Sequence, residues 1–222
     1  MAGFDGALLS AAQFDALVGS GPVISEDRFG PKVIRLADGR WLKLFRRKRR
    51  FSSAAWNPYA LRFARSAIAL ERLGIPSVQV ESVFRCRARE RDGVIYRDLP
   101  GDTVRDLLAG SRSATEVLAQ TGRFIADLHA RGVQFRSVHL GNIVRGPGHR
   151  FGLIDIADVR VRRRPLSTRE RIRNLAIPLR HRDDRRRIEA LGVGHLVDAY
   201  LDAIGAKPRL RARYRAELLG TR

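Results

Sequence analysis

Three polar side chains stand where they could handle phosphate and a hard cation. Asp155 follows the apolar run Phe151-Gly152-Leu153-Ile154, Asn142 follows Leu140-Gly141, and Lys43 lies inside Trp41-Leu42-Lys43-Leu44-Phe45. Carboxylate and amide oxygens are ligands for Mg2+, and a lysine ammonium is a point charge for phosphate oxygens. Phosphoryl transfer asks little covalent chemistry of a protein; it asks that phosphates and metal be held still and the developing charge neutralised. Each residue alone has a plainer reading. An Asp ending a strand serves as a turn or cap residue, an Asn after Gly as a turn former, and a strand Lys as an edge or solvent-facing residue. Their order along the chain, and the elements between them, favour the chemistry.

Those elements are legible from periodicity and breakers. Residues 7–18 carry apolar positions at helical spacing and stop at Gly19-Ser20-Gly21-Pro22. Strands are expected at 23–24, 33–36 and 41–45, then a helix over 54–73 ending at Gly74-Ile75-Pro76, then strands at 78–87 and 93–97. After the turn Asp98-Leu99-Pro100-Gly101 a short helix is expected over 103–108. A long amphipathic helix over 114–130 places Val117, Leu118, Phe124, Ile125 and Leu128 on one face. Ile143-Val144 and Phe151 to Ile156 read as a hairpin about Gly146-Pro147-Gly148, with Asn142 at its entrance and Asp155 at its far end. Arg-rich helices follow, with Leu175, Leu179, Ile188, Leu191, Leu196, Val197, Tyr200 and Leu201 as core contacts.

A strand Lys, a helix, a hinge-like turn, a long helix ending in Leu128-His129, a loop with Asn142 and a strand ending in Asp155 follow protein kinase order. The chain resembles the small bacterial lipopolysaccharide core kinases of the protein kinase-like superfamily, including the proteins labelled toluene-tolerance. The resemblance is carried by Leu36 to Arg47, Gly74-Ile75-Pro76, Tyr96 to Gly101, Phe135 to Val144 and Gly152 to Arg160. It implies an α+β, two-lobed kinase-like fold, with an N-lobe over 1–97 (leading helix, five-stranded antiparallel sheet, one helix) and a helical C-lobe over 98–222. It also implies an ATP- and Mg2+-dependent enzyme that phosphorylates a sugar of the lipopolysaccharide core on the cytoplasmic side of the inner membrane. Asn142 and Asp155 are then the metal ligands and Lys43 the nucleotide contact. Arg136, Ser137 and His139 form the catalytic loop.

The loop departs from the kinase pattern. Ser137 stands where kinases carry the Asp that receives the substrate proton, and a serine hydroxyl is no base at neutral pH. Loss of a general base costs about 10²–10⁴-fold. His139 is a candidate substitute, or else a structural hydrogen-bonding residue beneath the loop, and Asp158 is another acid close by. Residues 54–70 contain no acid, so Glu71 is the only candidate partner for Lys43. Asp27-Arg28-Phe29-Gly30 is a poor phosphate-covering loop. These departures keep two alternatives open: a pseudokinase that binds nucleotide or another anion without transfer, and a nucleotidyl transferase on the same fold.

Composition is consistent with a folded chain. It has 222 residues, 44% of them hydrophobic, and a net charge of +20. No secretory leader is read at the start, and no run reaches the roughly 18 apolar residues needed to span a bilayer. A cytoplasmic protein is expected, peripheral at most. The single Cys86 is expected to be a packing residue on a strand. Cations cluster at Lys43, Arg46, Arg47, Lys48, Arg49 and Arg50, and again over 160–187, where twelve Arg face Glu170, Asp183 and Asp184. Either cluster could hold an anionic glycolipid or the inner membrane surface, or be a solvated Arg-rich face. Nucleic acid is disfavoured as a partner. Trp56, Tyr59 and Phe63 are spaced as a helix core face rather than a stacking platform, and no nucleic-acid motif is present.

Overall fold

A computed structural model describes residues 6–46, 58–110 and 113–220. The chain divides into one unit of Met1–Arg72 with Ser77–Leu99, and a second of Leu73–Pro76 with Pro100–Arg222. The mixed α+β class expected from the sequence is observed, with the sheet in the first unit and most of the helices in the second.

In the first unit, strands β1 (Ala7–Leu8), β2 (Val23–Asp27), β3 (Gly30–Arg35), β4 (Trp41–Arg46), β5 (Gln79–Cys86) and β6 (Arg91–Arg97) form one sheet in the order β1-β5-β6-β4-β3-β2. All neighbours are antiparallel except β1, which runs parallel to β5. Among the described residues this unit also holds the helices α1 (Ala11–Val18) and α2 (Tyr59–Arg72). Alternation along β4 assigns its side chains to opposite faces. Leu42 and Leu44 join Ile34, Leu36, Phe84, Cys86 and Phe14 of α1 in one core cluster. Phe45 meets Phe63 of α2 on the other face at 6.2 Å, and Phe63 meets Tyr96 at 5.4 Å.

Two expectations need correction here. The helix read over 7–18 begins only at Ala11, because Ser10 caps it through a capping box with Gln13, and the preceding Ala7–Leu8 pairs as a strand. Among the described residues the sheet therefore has six strands rather than five; a two-residue strand carries no readable periodicity. Residues 54–57, where the second helix was expected to begin, and the cations at 47–50 lie outside the described residues, as does Trp56. Cys86 is buried in β5, as expected.

The second unit begins with β7 (Asp102–Thr103), α3 (Val104–Gly110) and α4 (Ala114–Ala130). Then come β8 (Val133–Phe135), β9 (Ile143–Arg145), β10 (Phe151–Leu153) and β11 (Val159–Val161). Helices α5 (Thr168–Arg180), α6 (Arg182–Leu191), α7 (Gly194–Ala203) and α8 (Pro208–Leu219) complete it. Val117, Leu118, Ile125 and Leu128 of α4 are buried, and Phe124 stacks on Phe151 at 5.6 Å. Gly122 permits the close approach of α4 to α7, since a Cβ there would lie 2.3 Å from the Leu196 carbonyl oxygen. Leu73–Pro76 belongs to this unit through hydrogen bonds: Leu153 N–H donates to the Pro76 carbonyl at 2.9 Å, and Arg131 Nη1 to the Leu73 carbonyl at 2.7 Å. No helix among the described residues is long and apolar enough to cross a membrane.

Candidate functional site

The loop between β8 and β9 is built from its ends inward. β8 and β11 pair antiparallel with Phe135 opposite Val159, which brings the residues just beyond that pair, Arg136 and Asp158, side by side. Arg136 N–H donates to the Asp158 carbonyl at 3.3 Å. At the other end, β9 and β10 form the expected hairpin, with Ile143 opposite Leu153. One further backbone bond, from Ile154 N–H to the Asn142 carbonyl at 3.0 Å, closes its open end. Asn142 and Asp155 are thus brought to the same end of one hairpin.

The two side chains are held differently. Asn142 is buried in a 3-10 turn (Leu140–Asn142), and its Nδ2 donates to the Ser137 carbonyl at 3.0 Å. Because a carbonyl can only accept, the amide's Oδ1 is turned away from Ser137. Asp155 is exposed and left-handed, at φ 51° and ψ 46°. The strand expected to run to Ile156 instead ends at Leu153. The reversal at Asp155 leads into a 3-10 turn (Ile156–Asp158), so the chain turns back toward β8. Asp tolerates this backbone region better than most side chains, and such conformations are frequent at functional sites.

Ser137 is half-buried, and its Oγ donates to Asp158 Oδ2 across a long 3.4 Å contact. Arg136 is exposed. His139 stacks on His181 at 4.6 Å between ring centres. Arg105 Nη2 lies 3.3 Å from Nδ1 of both His139 and His181. A guanidinium only donates, so these Nδ1 atoms act as acceptors and His139 carries its hydrogen on Nε2. Burial pushes the His139 imidazole below its ordinary value; the neighbouring His181 and Arg105 act the same way, against Asp184 and Asp155. With Nδ1 engaged and Nε2 protonated, His139 has no lone pair left to receive a substrate proton, which favours its structural reading.

Beneath the loop lies a group of residues that the sequence did not single out. Asp184, in the first turn of α6, is fully buried. Its Oδ1 accepts from Arg105 Nε at 2.7 Å and its Oδ2 from Leu140 N–H at 2.7 Å, with His181 Nδ1 at 3.7 Å. Gly141 leaves room for the Arg105 guanidinium, since a Cβ there would come within 2.9 Å of it. Asp184 stood in the sequence only as one acid in an Arg-rich run. The signal that could have found it is its place at the start of a helix, where an acid complements the dipole.

A second chain of hydrogen bonds carries the loop's entrance. His129 is buried, with Nδ1 2.9 Å from Tyr200 Oη and Nε2 2.9 Å from Asn174 Oδ1, and Asn174 Nδ2 donates to the Phe135 carbonyl at 2.7 Å. Burial lowers the His129 pKa from 6.5 to about 4. Between those values the unfolded chain binds a proton that the folded chain excludes, so stability rises with pH across the window. The contribution is complete above about pH 6.5 and is lost as pH falls toward 4, by at most about 3 kcal/mol. Urea unfolding at pH 7 and pH 4.5 is expected to show a drop that shrinks by about 2 kcal/mol in His129→Gln; equal drops in both proteins would exclude His129 as its source.

Lys43 lies in the first unit, on the central strand β4, paired between Val33 and Val94. It is half-buried, with Nζ 5.8 Å from the Phe63 ring centre on the face covered by α2. Glu71 is exposed in the last turn of α2. At the turn 27–30, read from the sequence as a poor phosphate-covering loop, Phe29 is packed by the guanidinium groups of Arg28 and Arg46, at 4.7 and 3.9 Å. Within the Arg-rich stretch several cations are used internally. Arg162 pairs with Glu170, Arg171 donates to the Leu166 carbonyl and Arg187 to the Arg105 carbonyl, while Arg160, Arg163, Arg169, Arg173, Arg180, Arg182 and Arg186 are exposed. Tyr59 is half-buried and Phe63 buried in α2, the core-facing arrangement expected of them.

No protein-family model and no curated protein sequence matches the chain. Solved structures similar to it include a divergent kinase lacking the glycine-rich loop that regulates membrane ultrastructure of the Toxoplasma parasitophorous vacuole. That likeness has 16% identity and a TM-score of 0.42 and covers 83% of this chain and 62% of that one. The bifunctional kinase-methyltransferase WbdD is also similar, at 14% identity and a TM-score of 0.47, over 81% of this chain and 45% of that one. The chain thus spans less than two thirds of the length of either structure.

Proposed function

We propose that the chain is a kinase-like phosphotransferase that uses Mg-ATP, with a sugar hydroxyl of the lipopolysaccharide core as acceptor. The observation that carries the nucleotide part is the closed hairpin end. Asn142 and Asp155 are tied together by the Ile154 to Asn142 backbone bond, and the Asn142 amide is oriented by the Ser137 carbonyl. The described residues hold no group of three or more His, Cys, Asp or Glu fit to cage a metal. Mg2+ needs none, since one or two protein oxygens and the phosphates of its nucleotide, with water, complete its shell. Bound there, Mg2+ would neutralise charge developing on the phosphates. Asp155 and Asn142 would fix its position, and Lys43 would contact the nucleotide phosphates. The sugar acceptor rests on the sequence resemblance, and the exposed Arg of 160–186 suit a phosphorylated glycolipid at the cytoplasmic face of an anionic membrane.

One observation favours the competing reading of a nucleotide binder without transfer: Ser137 occupies the base position, and His139 has Nδ1 engaged by Arg105 and its hydrogen on Nε2. Unfolding with and without Mg-ATP tests the shared premise. Ligand at 100 times its dissociation constant should add about 2.7 kcal/mol. Absence of any shift at millimolar Mg-ATP would sink both readings. A shift accompanied by ADP release and phosphate incorporation into lipopolysaccharide core oligosaccharide would separate the enzyme from the binder.

A further inference from the structure

We propose that Asp158 supplies the carboxylate missing at Ser137 and receives the proton of the acceptor hydroxyl; this rests on the phosphotransferase reading above. The β8–β11 ladder makes the substitution possible. Its last pair is Phe135 with Val159, and the bond from Arg136 N–H to the Asp158 carbonyl carries the pairing one residue further. Asp158 is thereby set across from the loop, and its Oδ2 lies 3.4 Å from Ser137 Oγ. A carboxylate lost from one strand's continuation is returned from its partner's.

The other polar groups around the loop are less suited to receive that proton. Asp184 is fully buried and accepts from Arg105 and Leu140. His139 presents a hydrogen on Nε2 and turns Nδ1 to Arg105. Asp155 is assigned to the metal, and Ser137 can orient a hydroxyl but not deprotonate it. Asp158 is half-buried, and its Oδ2 is placed beside the Ser137 side chain, where the kinase pattern has its carboxylate. In the reaction the acceptor oxygen forms a bond to the γ-phosphorus as the bond to the ADP oxygen breaks. The acceptor proton passes to the Asp158 carboxylate and then to water, and ADP leaves with the electron pair of the broken bond.

The experiment compares wild type, Asp158→Asn and the double variant Ser137→Asp/Asp158→Asn. Two readouts are taken: ADP release from Mg-ATP with lipopolysaccharide core oligosaccharide as acceptor, and thermal stabilisation by Mg-ATP. Asp158→Asn is expected to lower kcat about 10²–10⁴-fold while keeping the Mg-ATP shift. The double variant, which moves the carboxylate back to the loop, is expected to recover at least about tenfold of that loss. Turnover in Asp158→Asn within a few-fold of wild type, or no recovery in the double variant, overturns the assignment to Asp158. Loss of the Mg-ATP shift in Asp158→Asn also overturns it and points to nucleotide or metal binding. Wild type that is stabilised but releases no ADP overturns the base while leaving the nucleotide site. Wild type with neither property overturns the phosphotransferase reading itself.

Discussion

Replacing Asp184 with Ala is expected to cost about 3–5 kcal/mol of folding stability, the largest effect of any single substitution in the loop's support. The carboxylate is fully buried and accepts from Arg105 Nε and Leu140 N–H, each at 2.7 Å. Removing it leaves a largely buried guanidinium without its anion and a buried backbone donor without an acceptor, and each is penalised by desolvation. Asp184→Asn should recover little, since one side of the amide would point N–H groups at a donor. Urea denaturation measures the loss. The double variant Arg105→Leu/Asp184→Ala is expected to be less destabilised than the sum of the two single changes, because it removes the stranded charge along with its partner. A loss below about 1 kcal/mol in Asp184→Ala would show that the loop does not depend on this anchor.

The second large effect is expected at Asp155, on function rather than stability. Asp155→Asn keeps the side-chain shape and a residue type that accepts the left-handed backbone at φ 51°. Ligand-free unfolding should therefore move by less than about 1 kcal/mol. The Mg-ATP-dependent stabilisation of about 2.7 kcal/mol should disappear, and phosphate transfer should fall about a thousandfold, the scale of charge stabilisation a metal supplies. Isothermal titration with Mg-ATP, and with ATP in the presence of a chelator, is the direct check. Equal affinity in wild type and Asp155→Asn would remove Asp155 from the metal site and reduce the hairpin closure to a structural feature.

These two acids illustrate what could be seen in advance. Asp155 was legible because it ends an apolar run after a Gly-Pro-Gly turn, and a hairpin brings its two ends together whatever the remainder of the chain does. The same holds for α4, whose apolar face is written at helical spacing, and for β4, where strict alternation puts Lys43 opposite Leu42 and Leu44. Asp184 was not legible, because its partners Arg105 and Leu140 lie 79 and 44 residues away. Short strands were missed for a related reason: β1, β7, β8 and β11 have two or three residues each, so their pairing comes from neighbours rather than from their own pattern.

The sequence by itself determined the longer elements, the α+β class and which residues are candidates to meet Mg2+ and phosphate, since these follow from local periodicity, turn chemistry and side-chain type. Only the tertiary structure decided how the loop is supported and what stands beside Ser137. The approach of Asp158 depends on the β8–β11 register, the state of His139 on Arg105, and the position of Leu140 on Asp184. Each is a contact between residues far apart in the chain, formed when the second unit packs and the buried polar groups of the loop find partners.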